Sequence, residues 1–166
     1  MPPKPILHFF CGKAGAGKSS AAKQLALECN GVLISEDIWL VRLFGDQMKT
    51  FEDYIRVSRK LKSVVGPLAI DLLGAGQSVV LDFQANTKDG RKWFRSVLEQ
   101  AKSEHVLHFV DTPNEICLQR IFKRNVERPE GSHQLTEDDF RHVSSFFQAP
   151  SGEEGFNVRV HVAQTQ

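Results

Sequence analysis

A glycine-rich segment near the start of the chain, "GKAGAGKSS" at residues 12–20, limits the possible folds more than any other part of the sequence. Its order of a glycine, four further residues and then Gly-Lys-Ser is typical of a loop that surrounds the phosphates of a nucleotide. The apolar run Ile6–Cys11 precedes the loop and predicts a buried strand, and Lys18–Cys29 follows it as a predicted helix. We therefore expect a strand, a phosphate-binding loop and a helix in direct succession.

Each part of this loop has its own predicted task. The glycines allow a tight turn that points successive backbone N–H groups at phosphate oxygens, and the following helix adds its positive dipole end. The Lys18 ammonium is expected to reach the outer phosphates of ATP, while the Ser19 hydroxyl is expected to bind Mg²⁺. We assign nucleotide binding to the whole loop, namely Gly12, Lys13, Ala14, Gly15, Ala16, Gly17, Lys18, Ser19 and Ser20.

Apolar strands alternate with longer segments of helical periodicity, which predicts an α/β fold with a mostly parallel sheet covered on both faces. The five predicted strands are Ile6–Cys11, Gly31–Ser35, Ser78–Phe83, His105–Asp111 and Asn157–Val162. Helices are predicted for residues 18–29, from 36 onward, for 50–74 with a kink or division at Gly66-Pro67, for 88–103, from a cap at Thr112-Pro113 to about residue 124, and for 135–147. Ligands bind beyond the carboxyl ends of such strands, so residues that follow the strands are expected to share one rim.

The composition is that of an ordinary globular domain. The 166 residues fit one domain spanning 1–166, and 21 Lys and Arg against 20 Asp and Glu give a formal net charge of +1. This balance does not favour bulk electrostatic binding of nucleic acid, which normally shows as a basic face.

Cys11, Cys29 and Cys117 lack metal-ligand spacing and are expected as reduced thiols, and no signal peptide or membrane span is recognisable. We therefore expect a cytoplasmic protein.

Other segments exclude some classes of nucleotide-binding protein. Proteins that read guanine carry an Asn-Lys-x-Asp element, whereas the nearest text here, "NTKD" at residues 86–89, has the wrong order. "DLLG" at residues 71–74 looks like a switch motif but lies in a predicted helix instead of after a strand. The chain is short for a motor and has no transporter-type signature. A compact enzyme, with ATP on one side and an acceptor on the other, is the interpretation that remains.

Two aspartates are predicted to lie at the same rim as the loop. Asp37 comes two residues after the second strand, where a carboxylate can orient an acceptor hydroxyl and take its proton. The neighbouring Glu36 is the rival for this role, and an ordinary carboxylate at a helix N-terminus is the structural alternative. Asp82 ends the third strand, where we expect it to hold Mg²⁺ through water or to contact the acceptor. A carboxylate that caps local backbone is the alternative for Asp82.

Arginines form the third group of candidates. Arg120, Arg124 and Arg128 recur every four residues, so the first two share a helix face and can place guanidinium groups against the transferring phosphoryl group. A solvated helix face is the alternative. Residues 125–135 are then expected to form a lid whose closure excludes water. Arg42 is a candidate for binding an anionic acceptor, and a solvated surface arginine is again the alternative. The six histidines show no metal-binding or stacking pattern.

Taken in order, these segments resemble the small P-loop kinases of the AAA_33, zeta-toxin-like group, which is related to chloramphenicol phosphotransferase, gluconate kinase and polynucleotide kinase. The matching text, "GKAGAGKSS", "ISEDIW", "VVLDF", "LQRIFKRN" and "FFQAPSGEEGF", spans nearly the whole chain. The resemblance implies a P-loop three-layer sandwich with a helical lid, a five-stranded parallel sheet of order 2-3-1-4-5, and Mg·ATP as the phosphoryl donor. It also implies a base at Asp37, phosphate-contacting arginines at Arg120 and Arg124, and an acceptor or phosphate contact at Arg91.

One departure from the group bears on the acceptor. Polynucleotide kinases place an arginine three residues after the catalytic aspartate, where this chain has Leu40, and the nearest arginine is Arg42. We therefore expect ATP-dependent transfer to a hydroxyl of a small molecule or nucleotide-like compound, with nucleic acid as the less favoured partner and no membrane partner. The alternatives are a nucleotide-binding or slow ATPase module that controls a partner protein, and a polynucleotide 5′-hydroxyl kinase. The sequence defines neither the acceptor nor the oligomeric state.

Overall fold

The computed structural model describes residues 2–162. Its strands are β1 (Ile6–Cys11), β2 (Val32–Ser35), β3 (Val79–Gln84), β4 (Glu104–Asp111) and β5 (Val158–Val162). Its helices are α1 (Lys18–Cys29), α2 (Glu36–Phe44), α3 (Phe51–Gly74), α4 (Lys88–Ala101), α5 (Asn114–Glu127) and α6 (Glu137–Ser144), with short 3₁₀ turns at Gly45–Gln47 and Gly152–Glu154. The strands form one parallel sheet in the order β2-β3-β1-β4-β5. The predicted fold class and strand order are confirmed.

Helices cover both faces of the sheet because the central strands carry apolar side chains on both sides. On one face, Phe9 and Leu81 are buried in a core to which α2, α3 and α4 contribute. On the other face, Phe10 and Val80 are buried with side chains of α1, α5 and α6. Burial on both faces explains why these strands read as continuous apolar runs in the sequence.

Parallel pairing brings the carboxyl ends of the strands to one edge of the sheet. Ser35 at the end of β2 pairs with Asp82 of β3, so the start of α2 lies beside the end of β3. Between β1 and β3 the register shifts after Phe9, and Phe10 pairs with Gln84. The expected rim of loops and helix starts is therefore present at this edge.

Two local predictions differ from the structure. α3 is a single continuous helix of 24 residues with Pro67 inside it, so the predicted division does not occur. Thr112-Pro113 does not form the expected cap, because Pro113 occupies the N-cap position and the Thr112 hydroxyl donates instead to the carbonyl oxygen of Ala16 at 2.8 Å. The side chain of Thr112 thereby supports the glycine-rich loop.

Three histidines form a hydrogen-bonded row across neighbouring strands. Nδ1 of His8 lies 3.0 Å from Nε2 of His108, and Nδ1 of His108 lies 2.8 Å from Nε2 of His161. The rings of His108 and His161 are stacked, with centroids 5.0 Å apart. The expectation that the histidines show no stacking pattern is wrong, because pairing of β1, β4 and β5 brings together residues that are distant in sequence.

Candidate active site

A cleft of about 510 Å³ opens at the carboxyl edge of the sheet, where the loop between β1 and α1 meets the start of α2 and the end of β3. Residues of α5 and of the segment 129–135 complete its lining. The cleft brings together most of the predicted site residues, namely Ala14, Gly15, Ala16, Gly17, Lys18, Ser19, Ser20, Asp37, Asp82, Arg120 and Arg124. Gly12 and Lys13 support the loop from beside the cleft, where the Gly12 N–H donates to Asn86 and the Lys13 ammonium donates to Asn114.

Close contacts with α5 hold the loop in its turn. Gly15 has a φ of +76°, and a Cβ atom there would lie 2.5 Å from the carbonyl oxygen of Cys117, so this position requires glycine. The carbonyl oxygen of Ala16 accepts hydrogen bonds from the Thr112 hydroxyl and from Nη1 of Arg120, both at 2.8 Å. These contacts fix the backbone from which α1 starts.

Lys18 begins α1 and folds across the loop. Its ammonium donates to the carbonyl oxygen of Gly12 and, at 3.1 Å, to that of Lys13. Burial lowers the pKa of Lys18 to about 8, and the neighbouring Asp82 carboxylate opposes this shift, so the side chain remains mainly charged at neutral pH. The first turn of α1 carries no acidic side chain, which leaves the positive helix end available to a phosphate group.

The structure separates the two candidate carboxylates at the start of α2. The Glu36 side chain is only 2% exposed and accepts hydrogen bonds from the Tyr54 hydroxyl at 2.8 Å and the Ser58 hydroxyl at 3.1 Å. Glu36 therefore ties α2 to α3. The Asp37 side chain is 40% exposed, and its Oδ1 lies 3.8 Å from Nε2 of His133. Of the two, Asp37 has the accessibility that an acceptor hydroxyl requires.

Ser19 and Asp82, the predicted magnesium ligands, lie together in the cleft. Burial raises the pKa of the Asp82 carboxyl, interaction with the Ser19 hydroxyl opposes this shift, and the Asp37 charge adds to it. Mg²⁺ usually takes one or two protein oxygens and keeps waters and phosphate oxygens as its other ligands. A hydroxyl beside a half-buried carboxylate next to a phosphate-binding loop fits this requirement.

Arg120 and Arg124 lie one turn apart on α5 and both line the cleft. Arg120 reaches the loop, where its Nη1 lies 2.9 Å from the position that a Cβ atom on Gly17 would take. Nε of Arg124 is buried and has no hydrogen-bond acceptor within residues 2–162. An unpaired buried donor is costly, so the described residues leave the hydrogen-bonding capacity of this guanidinium partly unused. The two guanidinium groups are suited to binding phosphate.

Two predicted acceptor contacts are not brought to the cleft. The Arg91 side chain is fully buried, donates to both carboxylate oxygens of Glu154 at 2.7 and 3.1 Å, and donates to the carbonyl oxygen of Ala85 at 2.8 Å. Because these contacts bury the Arg91 guanidinium away from the cleft, the prediction that Arg91 binds the acceptor is wrong. Arg42 also lies outside the cleft lining, and its Nε and Nη2 bind Glu130, a residue of that lining, at 2.6 and 2.9 Å.

Three residues of the site were not identified from the sequence. Asn86 accepts the Gly12 N–H at 2.9 Å, Thr112 supports Ala16, and His133 faces Asp37. Asn86 lies two residues after β3 and Thr112 follows β4 directly, so their position at the shared rim is the signal that could have identified them. Nothing in the local sequence distinguishes His133 from a solvated loop residue.

Comparison with known proteins places this geometry in a family. The model of AAA_33, an AAA domain, matches residues 7–150, a range that includes the loop, both aspartates and both cleft arginines. The chain belongs to the AAA_33 family. No match was found among curated proteins.

Solved structures share the fold of this AAA_33 protein at low sequence identity. The APS kinase CysC of Mycobacterium tuberculosis, in complex with AMPPNP and APS, is 22% identical with a TM-score of 0.64, over 99% of this chain and 92% of that chain. Kti12 of Chaetomium thermophilum, in complex with ADP-AlF3, is 15% identical with a TM-score of 0.67, over 95% and 88%. A gluconokinase of Sinorhizobium meliloti 1021 is 18% identical with a TM-score of 0.61, over 98% and 85%. These structures share the α/β fold of this chain.

Proposed function

We propose that this AAA_33 protein is an ATP-dependent phosphotransferase that moves the γ-phosphoryl group of Mg·ATP to a hydroxyl of a small-molecule or nucleotide-like acceptor. The observation that carries the proposal is that Lys18, Asp37, Arg120 and Arg124 line one cleft with the phosphate-binding loop. Nucleotide binding alone requires the loop and Lys18, whereas an accessible carboxylate in the same cleft is what transfer to a hydroxyl requires. The AMPPNP and ADP-AlF3 complexes of two proteins with this fold support an adenine nucleotide as donor.

In the proposed reaction, the loop amides and the start of α1 hold the phosphates of ATP beside Lys18. Asp37 accepts a hydrogen bond from the acceptor hydroxyl and takes its proton as the acceptor oxygen forms a bond to the γ-phosphorus. The bond between that phosphorus and the bridging oxygen breaks, and ADP leaves with the electron pair. Arg120 and Arg124 stabilise the negative charge on the transferring group. Ser19 and Asp82 would hold Mg²⁺, which would neutralise negative charge at the phosphates.

The surroundings of Asp37 favour a small acceptor over nucleic acid. Leu40, at the position where polynucleotide kinases carry an arginine, is 1% exposed and packs in the core. Arg42 is engaged by Glu130 instead of facing the cleft.

The cysteines bear on where the protein acts. Cys11, Cys29 and Cys117 are all free thiols in the described part of the chain, as expected of a protein in a reducing compartment. No helix within residues 2–162 has the length and apolar character needed to cross a membrane. We propose that the protein acts in the cytoplasm, on the basis of the thiols.

The direct test is a screen of metabolites and nucleotides for a phosphorylated product, detected by mass spectrometry, with Lys18→Ala as the inactive reference. Asp37→Asn should lower transfer by about 100-fold or more because the hydroxyl loses its proton acceptor. ATP affinity, measured by calorimetry, should stay within about threefold because Asp37 lies beyond the phosphate loop. Asp46→Asn, an exposed aspartate after α2, is the matched control and should leave both quantities unchanged.

Two outcomes would contradict the proposal. If Asp37→Asn weakened ATP binding as much as transfer, Asp37 would be a structural carboxylate. If the protein bound ATP tightly but formed no product with any acceptor, a nucleotide-binding module that controls a partner protein would be the better interpretation.

A further inference from the structure

The segment between α5 and α6 is docked against α2. Arg42 of α2 forms a bidentate ion pair with Glu130 of this segment, at 2.6 and 2.9 Å. Gly131 has a φ of +81°, and a Cβ atom there would lie 3.2 Å from backbone atoms of Asp37 and Ile38. A side chain at residue 131 would separate the two elements, so the absence of one permits a close backbone approach. The ion pair and this approach together hold the segment on α2.

Docking of the segment carries His133 to Asp37. Nε2 of His133 lies 3.8 Å from Oδ1 of Asp37, and the two side chains are 55% and 40% exposed. Both residues line the cleft together with Lys18. The charged groups that face His133 are Asp37 of α2 and Arg124 of α5. The imidazole therefore contacts the group to which the proposed reaction assigns the acceptor's proton.

We propose that His133 is a positioning residue for Asp37. The docked segment presents its imidazole to Oδ1, which restricts rotation of the carboxylate and leaves Oδ2 to receive the acceptor hydroxyl. This inference rests on the proposed function, because it gives Asp37 a partner in that same transfer. It also couples the contact to docking of the segment, to which the Glu130–Arg42 ion pair contributes.

The charge on the imidazole is suited to this task. The interaction with Asp37 raises the pKa of His133 above its ordinary value, while burial and the Arg124 charge oppose the shift. A protonated imidazole attracts the Asp37 carboxylate and so strengthens the hold on its orientation. When Asp37 has taken the acceptor's proton, the Coulomb attraction between the two side chains is lost. The segment is then easier to open, which assists product release.

NMR titration of the histidine side chains in the full chain tests the contact without any acceptor. Asp37→Asn should lower the pKa of His133, and Arg42→Met should lower it by a smaller amount because loss of the ion pair weakens the docking of the segment on α2. Arg56→Met is the matched control, because this arginine pairs with Asp53 on α3, at 3.6 Å, and should not affect the titration of His133. An unchanged titration in Asp37→Asn overturns the inference, whether or not the protein is a kinase. A shift in Asp37→Asn without one in Arg42→Met overturns the coupling to docking.

Kinetics test the positioning role. His133→Ala should lower kcat by about 10- to 100-fold with little change in the KM for ATP, because the carboxylate loses its fixed orientation. His133→Gln keeps an N–H group near the carboxylate but not the charge, and should recover part of the rate. Unchanged kcat in His133→Ala, or a loss confined to the KM for ATP, overturns the positioning role. Absence of transfer in the wild-type protein would refute the proposed function instead, and the NMR titration would still decide whether His133 and Asp37 interact.

Discussion

The backbone N–H of Gly12 donates to the side-chain oxygen of Asn86 across 2.9 Å, so the first glycine of the phosphate loop is held from the end of β3. Asn86→Ala removes the acceptor and leaves this N–H unpaired, which costs about 1–2 kcal/mol. We expect ATP affinity to fall by about tenfold, because the loop must be ordered again when the phosphates bind. Isothermal titration calorimetry with Mg·ATP measures the change.

Asn114→Ala is the control for this prediction. Asn114 also contacts the loop, but its exposed hydrogen bond, accepted from the Lys13 ammonium at 2.9 Å, is to a side chain of the loop and not to its backbone. Its removal should change ATP affinity by less than about threefold, as is usual for exposed contacts. If both alanine variants weakened binding equally, anchoring of the Gly12 backbone would not be the cause.

The buried ion pair between Arg91 and Glu154 should be a major determinant of stability. Glu154→Ala leaves a fully buried guanidinium without its carboxylate, and breaking such a pair costs about 3–5 kcal/mol. Urea unfolding followed by circular dichroism should show a lower midpoint with little change in slope. The residual folded protein should bind ATP normally, because Arg91 does not line the cleft.

Glu137→Ala provides the comparison on the surface. Glu137 pairs with Arg141 at 2.7 Å, but the two side chains are 48% and 72% exposed. Loss of this pair should cost no more than about 1 kcal/mol. Similar destabilisation by the two variants would argue that the Arg91–Glu154 pair is not the reason for the larger expected effect.

The histidine row should make the fold sensitive to mild acid. Burial lowers the pKa of His8 to about 4 and that of His108 to about 3. Both stay neutral in the folded protein at pH 5 but are protonated in the unfolded chain, where histidine has a pKa of about 6.5. Their contribution to stability is therefore complete above about pH 6.5 and is lost as the pH falls, by up to about 1.4 kcal/mol per pH unit for each histidine. Urea unfolding at pH 7, 6 and 5 should show a decreasing midpoint.

Two variants test whether the histidine row causes this pH dependence of stability. His108→Gln, in the centre of the row, should reduce the pH dependence, whereas His142→Gln on the exposed face of α6 should leave it unchanged. His133 acts in the opposite direction, because its raised pKa contributes stability below about pH 6.5 that is lost as the pH rises. A wild-type midpoint that is constant between pH 7 and pH 5 would contradict the prediction.

Local sequence patterns were sufficient to predict the main strands and helices of this protein and the edge of the sheet at which the site lies. The bounds of β1 and α1 agree with the sequence prediction at both ends, because an apolar run and a glycine-rich loop define them within a few residues. The positions of Asp37 and Asp82 at one edge also followed, since parallel strands end together and Ser35 pairs with Asp82. These inferences needed only strand order and direction.

Contacts between distant residues could not be predicted in the same way. Arg91 resembles an exposed arginine in the first turn of a helix, and only Glu154, 63 residues later, makes it a buried ion pair. His8 and His108 are 100 residues apart and meet only through the pairing of β1 with β4. Thr112 fits a capping pattern locally, yet its hydroxyl binds Ala16 on the neighbouring loop. In each case the partner is fixed by tertiary packing, which overrides the local preference.

Replacement of Pro67 should stabilise the protein. Pro67 is exposed inside the continuous helix α3, where it has no N–H to donate to the carbonyl group one turn earlier. Pro67→Ala restores that hydrogen bond, and the gain exceeds the added entropy of the unfolded chain by about 1–2 kcal/mol. Val64→Ala, at a side chain that is 62% exposed on the same helix, should gain only about 0.5 kcal/mol from helix propensity. Thermal and urea unfolding measure both variants, and destabilisation by Pro67→Ala would show that the proline shapes α3 against its neighbours.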